Sequence, residues 1–216
     1  VHVAGEVTTR GFVDVQKIKN APITIDLHKK YPQFSKIVLM MSRLEPEKNI
    51  EMAIRAFRIV LEKYRSKDIK QKSEENVSQY KNDRGLAQKI MEQNMPFVSE
   101  TRSPGLVIVG SGSEEKRLRG LVGEGVGVGV GGLKMGGQVV FEGWQEDIAV
   151  TASYYKTCDC FLVTSWYEGY GMSLLEAQTA GCKIVSTDVG IAREVGAKVV
   201  GYNEDEIAEA IIDILA

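Results

Sequence analysis

The sequence predicts an α/β fold: a doubly wound parallel sheet of about six strands, with helices on both faces. Three observations predict it. Short, continuous apolar runs such as SKIVLMMS (35–42) and LVIV (106–109) read as strands buried on both faces. Segments with helical apolar spacing alternate with those runs along most of the chain. Glycine-bearing loops sit just after strands, at the edge where such sheets place their ligands.

The elements follow in order. After SKIVLMMS comes NIEMAIRAFRIVLEKY (49–64), where Ile50, Ala53, Ile54, Phe57, Val60 and Leu61 recur at helical spacing. Asn49 is its expected N-cap. In PGLVIVGSGSEEKRLRGL (104–121), a strand over 106–109 leads through GSGS to a helix near Ser113, the expected cap. QVVFEGW (138–144) is a strand and turn, IAVTASYYKTC (148–158) a helix, and CFLVTS (160–165) a strand. A helix from near Met172 precedes the strands KIVST (183–187) and AKVVGY (197–202). NEDEIAEAIIDILA closes the pattern as a helix capped by Asn203 or Asp205. This strand–helix alternation is Rossmann-like.

Two stretches stand apart as irregular insertions. Residues 66–102 are rich in Lys, Glu, Gln, Ser and Asn and read as a solvated helical excursion or loop. Residues 120–137, GLVGEGVGVGVGGLKMGG, are glycine-dense and read as irregular chain. Residues 1–34 show no clear periodicity and read as a lead-in to the domain at 35–216.

Composition excludes several classes. A formal net charge of -2 argues against a nucleic-acid binder. No run approaches the roughly 20 apolar residues of a membrane span. The opening VHVAGEVTTR lacks the features of a signal peptide. Three cysteines, Cys158, Cys160 and Cys182, do not make a disulfide framework, and their spacing matches no zinc site. Buried, reduced thiols in a cytosolic protein are the expectation.

The chemistry concentrates in WYEGYGMSLLEAQTAGC (166–182). Gly169 and Gly171 permit a tight turn between a strand and a helix. The free amides of the first helical turn, around Met172, Ser173 and Leu174, suit an anion such as a diphosphate. Glu176, one turn into that helix, could accept hydrogen bonds from the two hydroxyls of a ribose. Glu168, before the bend, could reach a hydroxyl-bearing group beyond the phosphates. Alone, these residues equally describe a strand–turn–helix with one surface and one helix-stabilising glutamate. SRLEPEKN (42–49) adds Arg43 and Lys48 at the same sheet edge. Two cations could neutralise a departing diphosphate, or simply pair with Glu45 and Glu47. Gly110 and Gly112, in VGSGS, could bring backbone close to a ligand or merely form a turn.

Taken together, SRLEPEKN, LVIVGSGSEEKRL, VVFEGW and SYYKTCDCFLVTSWYEGYGMSLLEAQTAGCKIVSTDVGIAREV resemble the C-terminal half of the retaining GT-B glycosyltransferases of the family 4 type, the glycosyl transferases group 1. The resemblance runs over roughly residues 36–215, with the two irregular stretches as insertions. It implies a donor-binding domain at 35–216 for a UDP- or GDP-linked sugar, and transfer of a hexosyl group with retention of configuration. It implies that Arg43 and Lys48 grip the diphosphate, that Glu168 contacts the donor sugar, and that Gly169, Tyr170, Gly171, Met172, Ser173 and Leu174 meet phosphate and sugar. Glu176 would bind the ribose. Gly110 and Gly112 would line the cleft, and Phe141 to Trp144 would seat the base. No metal or other cofactor is expected to be required. The family's N-terminal acceptor domain is the expected partner and has no counterpart in these residues. The resemblance implies a cytoplasmic location, with membrane contact only through that other half. The sequence departs from the family at DVGIARE, where Gly190 is followed by Ile191.

Rival readings fit less well. A dinucleotide oxidoreductase needs glycines directly after the first strand, where MMSRLEPEKN has none. A phosphorylase of this architecture would use a cofactor-linked lysine, and none sits in the matched site. A sugar-nucleotide epimerase or a non-catalytic nucleotide-sugar-binding module would present the same glutamates.

Overall fold

Six short strands lie side by side, all parallel, in the order β3-β2-β1-β4-β5-β6. The computed structural model describes residues 9–79, 102–123, 133, 135 and 137–216. Two helices come first, α1 (Thr9–Asn20) and α2 (Leu27–Lys30). Then follow β1 (Ile37–Met41), a 3-10 turn at Pro46–Lys48, α3 (Ile50–Gln79) and β2 (Gly105–Val109). Next are α4 (Glu115–Val122), β3 (Val139–Glu142), α5 (Ile148–Thr157) and β4 (Cys160–Val163). The chain continues with α6 (Met172–Thr179), β5 (Ile184–Thr187), β6 (Lys198–Val200) and α7 (Glu204–Leu215).

The strands are apolar throughout because both faces are covered. Successive side chains of β1 go to opposite cores. Val38 and Met40 join Ile54, Phe57, Leu118 and Ile211 under α3, α4 and α7. Ile37 and Leu39 join Ile18, Leu27, Tyr155 and Leu174 under α1, α2, α5 and α6. The expected six-stranded doubly wound sheet is therefore present, with the strands where the apolar runs put them.

Three local expectations differ from the structure. Residues 9–34 are more ordered than their weak periodicity implies. Ile18, Leu27 and Phe34 are buried on the second face, and Asp26 caps α2 through the amides of His28 and Lys29. Only a few apolar positions of each short helix are needed there, too few to register as a period. Asn49 does not cap α3 with its side chain. It adopts the left-handed conformation (φ 49°, ψ 42°) and redirects the chain from the 3-10 turn into α3. Ser113 does not cap α4 either, because a neighbouring carboxylate, Glu45, engages it. Asn203 does cap α7, accepting from the Glu206 amide at 3.0 Å.

The polar stretch 66–102 begins as helix, since α3 continues to Gln79, and 80–101 lie outside the described residues. In the glycine-rich stretch, α4 ends at Val122 with Gly123 left-handed, and most of 124–136 lie outside the described residues.

Phe57 is fully buried between α3 and the sheet. Truncation by Phe57→Ala is expected to lower unfolding free energy by about 3–5 kcal/mol in a urea titration, from lost burial plus a residual cavity.

Candidate functional site

The site follows from one feature of topology. β1 and β4 are parallel neighbours, with Val38 opposite Cys160 and Leu39 opposite Phe161. The chain leaves β1 toward β2 and leaves β4 toward β5, so the two following loops diverge and open a crevice.

The first loop, residues 42–49, is fastened to the β2–α4 loop. The Ser42 amide donates to the Val109 carbonyl, the Leu44 amide to Ser111, and the Glu114 amide to Leu44. This closeness explains the two glycines of VGSGS. A Cβ on Gly110, at φ +145°, would lie 1.9 Å from the Ser42 carbonyl oxygen, and one on Gly112 would lie 2.3 Å from that of Leu44. The neighbour they make room for is the chain itself. Thr164, just past β4, donates toward the carbonyls of Lys48 and Asn49 at 3.2 and 3.0 Å. The Trp166 amide donates to the Glu47 carbonyl. The two diverging loops are thus joined at their base by a threonine hydroxyl and a backbone amide.

Above that junction sits an ion pair. Lys48 Nζ lies 2.7 Å from Glu168 Oε1, with the side chains only 13% and 15% exposed. Ser165 Oγ donates to the same oxygen at 2.7 Å. Lys48, Ser165, Glu168 and Ser173 line one small cleft with Ser42 and the ends of β1 and β4. Ser173 belongs to the first turn of α6, which Gly171 starts at φ +89°. The helix therefore directs its N-terminal amides and positive dipole end toward this cleft. Gly190, at φ +51°, backs the loop closely. A Cβ there would lie 2.4 Å from the Tyr170 carbonyl oxygen, which also accepts the Ile191 amide at 3.0 Å. One glycine before Ile191 is enough for that contact. Gly169 differs, since a Cβ there would meet nothing closer than the Tyr167 hydroxyl at 4.0 Å. The space beside Gly169 is open.

The remaining expected residues are spread around the cleft. Glu176 stands one turn into α6, where Tyr155 of α5 donates to its Oε2 at 3.0 Å. Arg43 is on the correct loop, but it points outward and pairs with Glu47 at 2.9 Å, its side chain 64% exposed. Glu45 accepts from both the amide and the hydroxyl of Ser113, and these bonds hold its carboxyl below the usual range.

Several partners were not foreseen. Ser165 stands three residues before Glu168, a spacing a turn can bring together, and Thr164 is hidden in an apolar strand end. The largest surprise is Glu142, at the end of β3. Its side chain is 11% exposed and accepts from Lys30, Tyr31 and Tyr154. A carboxylate at the end of the alternating VVFE was the available signal. Its donors come from α2 and α5, which a linear reading does not connect. Aromatic side chains also crowd this edge: Trp166 stacks on Tyr202 with ring centroids 4.4 Å apart, and Tyr167 and Trp144 are exposed.

Burial pushes the Glu142 carboxyl up, but the bonds from Lys30, Tyr154 and Tyr31 outweigh it and hold the group below its ordinary range. A depressed carboxyl stabilises the fold above its unfolded pKa and loses that contribution as pH falls through the folded value. Glu142→Gln is therefore expected to lower stability by roughly 2 kcal/mol at neutral pH. The difference from the parent should shrink below about pH 4 in denaturation curves. The glycines give a second contrast. Gly110→Ala is expected to cost more than about 1 kcal/mol, while Gly169→Ala stays within about 0.5 kcal/mol, in the same titration.

Known proteins share this fold. A family model described as glycosyl transferases group 1 matches residues 77–216. No curated protein sequence matches the chain. Among solved structures, the E. coli trehalose-6-phosphate structure bound with UDP-2-fluoro glucose superposes with a TM-score of 0.60 at 16% identity, covering 94% of this chain and 42% of that one. Anabaena HepE in complex with UDP and glucose gives 0.57 at 18%, covering 94% and 42%. The pneumococcal O-GlcNAc transferase GtfA with UDP and GlcNAc gives 0.52 at 18%, covering 83% and 28%. The chain thus spans well under half the length of each of these three. With the family model extending over most of the sequence and the crevice at the β1/β4 junction, the chain belongs to the group 1 glycosyl transferases.

Proposed function

We propose that this chain is the donor-binding half of a retaining, family 4-type glycosyltransferase that moves a hexosyl group from a UDP- or GDP-linked sugar to an acceptor. The observation that carries the reading is the pair of Lys48 and Glu168 beside the start of α6. A shielded cation, a shielded carboxylate and a helix N-terminus meet in one cleft at the switch point of the sheet. That combination suits a diphosphate joined to a polyhydroxylated ring.

In this reading the amides of Gly171 to Ser173 and the ammonium of Lys48 receive the diphosphate, with Leu174 closing the turn behind them. Arg43, exposed on the same loop, swings from Glu47 to join them. Glu168 then orients the donor sugar through its hydroxyls, with Gly169 leaving room and Tyr170 flanking it. Glu176 accepts from the ribose diol, and Tyr155 fixes its carboxylate. Gly110 and Gly112 hold the β2–α4 loop against the first loop and so set the wall of the cleft. During transfer the bond from the anomeric carbon to the diphosphate oxygen breaks and its electron pair stays on that oxygen. Positive groups placed there stabilise this charge more in the transition state than in the bound donor. Arg43 and Lys48 would do so without a metal. The acceptor would be supplied by an N-terminal domain, and the enzyme would work in the cytoplasm, with membrane contact only through that other half. UDP accompanies sugar in the three solved structures above, which favours a uridine donor.

Calorimetric titration with UDP and GDP tests this. One nucleotide should bind saturably and indifferently to EDTA. Lys48→Ala and Glu176→Ala should each weaken it by at least about tenfold, the loss of one charge-assisted contact. Binding unchanged in both variants would overturn the site, and binding abolished by EDTA would overturn the metal-free reading.

A further inference from the structure

At the opposite end of the sheet from the donor cleft, two thiols lie side by side. Cys158 is the C-cap residue of α5. Cys182 stands in the turn between α6 and β5, its amide donating to the Ala177 carbonyl at 2.9 Å. Their sulfurs are 3.0 Å apart. Both are free and half-buried. A disulfide has a sulfur–sulfur distance near 2.05 Å, so closure asks for an approach of about 1 Å. Cys160 is no competitor, although it is nearer to Cys158 in sequence. It is fully buried in the core under α3, α4 and α7, whereas Cys158 and Cys182 pack on the other face of the sheet.

We propose that Cys158 and Cys182 form a thiol–disulfide exchange site, modified by small-molecule disulfides such as oxidised glutathione. Hydrogen bonding to Cys182, followed by burial, holds the Cys158 thiol well above its ordinary range. Either thiol can open the exchange, taken here as Cys182. Its thiolate attacks one sulfur of the reagent, forming a mixed disulfide and expelling one glutathione thiolate, which takes up a proton. Cys158 then gives up its proton, attacks the Cys182 sulfur and expels the second glutathione. Two protein thiols are oxidised to one disulfide, and the reagent is reduced to two thiols.

The position gives the bond a mechanical effect. Cys158 Sγ lies 3.4 Å from the Tyr155 carbonyl oxygen, and Tyr155 donates to Glu176. The dithiol therefore closes a ring made of the end of α5, the Tyr155–Glu176 bond and the end of α6. Oxidation staples the two helices at the end remote from the cleft.

The test is incubation of the folded protein with oxidised glutathione, alkylation of remaining thiols, and peptide mapping by mass spectrometry, with melting followed in parallel. The expected product is a Cys158–Cys182 linked peptide pair with Cys160 unmodified, reversed by dithiothreitol. The melting temperature should rise by about 6 °C on oxidation, an effect of constraining the unfolded chain. That rise should be lost in Cys182→Ser and kept in Cys160→Ala. A glutathione adduct that persists on Cys182 without closing, a link that involves Cys160, or no reaction while the urea-denatured chain is oxidised would each overturn the proposal. A disulfide without any rise in melting temperature would overturn the staple.

Discussion

Everything at the carboxyl edge depends on β1 and β4 lying next to each other. The chain builds β1, β2 and β3 outward in one direction, then returns to start β4 on the other side of β1. Loops after neighbouring parallel strands usually crowd together. Here they must part, and the vacated space is a crevice with a helix N-terminus at one wall. The bonds from the Thr164 hydroxyl to the Lys48 and Asn49 carbonyls, and from the Trp166 amide to Glu47, fix how far they part. The separation is thus set by one threonine hydroxyl and one amide acting on main-chain carbonyls.

The Lys48–Glu168 pair is notable for where it stands between surface and core. Fully exposed ion pairs contribute little, and fully buried ones often fail to recover the cost of leaving water. At 13% and 15% exposure, with Ser165 as a third partner, this one is shielded enough to be strong and open enough to be exchanged. A site of this kind presents its two charges with their geometry already set. Little reorganisation is then needed when a ligand replaces one partner with its own oxygen atoms.

Much of the fold was legible because parallel strands buried on both faces write themselves as unbroken apolar runs. IVLMM, GLVIV and CFLV each gave a strand close to its observed bounds. Lys48, Glu168 and Ser173 were legible as a group because all three follow a strand end. What stayed hidden was tertiary in origin. The capping tendencies of Asn49 and Ser113 were real, but a left-handed turn and the Glu45 carboxylate took them over. Gly110 and Gly112 left a ligand's approach and a plain turn equally open, and the nearest atoms to their missing Cβ positions are backbone of the first loop. Glu142 gathers donors from α2 and α5 that lie 112 and 12 positions away in the chain, beyond any local pattern.

The two helices that precede β1 carry a consequence for how the molecule is made. α1 packs against α5 and α6, and the Thr24 amide donates to Ser153 Oγ across 129 positions. During synthesis, Ile18, Leu27 and Phe34 therefore emerge well before the surfaces that will cover them. Their face of the sheet cannot close until α6 has left the ribosome. The opposite face can begin earlier, since α3 follows β1 directly. Contacts so distant in sequence slow folding, because a long loop must close before any of them is gained. The opposite face in turn closes only when α7 arrives, so both faces finish late, and α1 and α2, made long before α5 and α6, should be the stickiest part of a nascent chain.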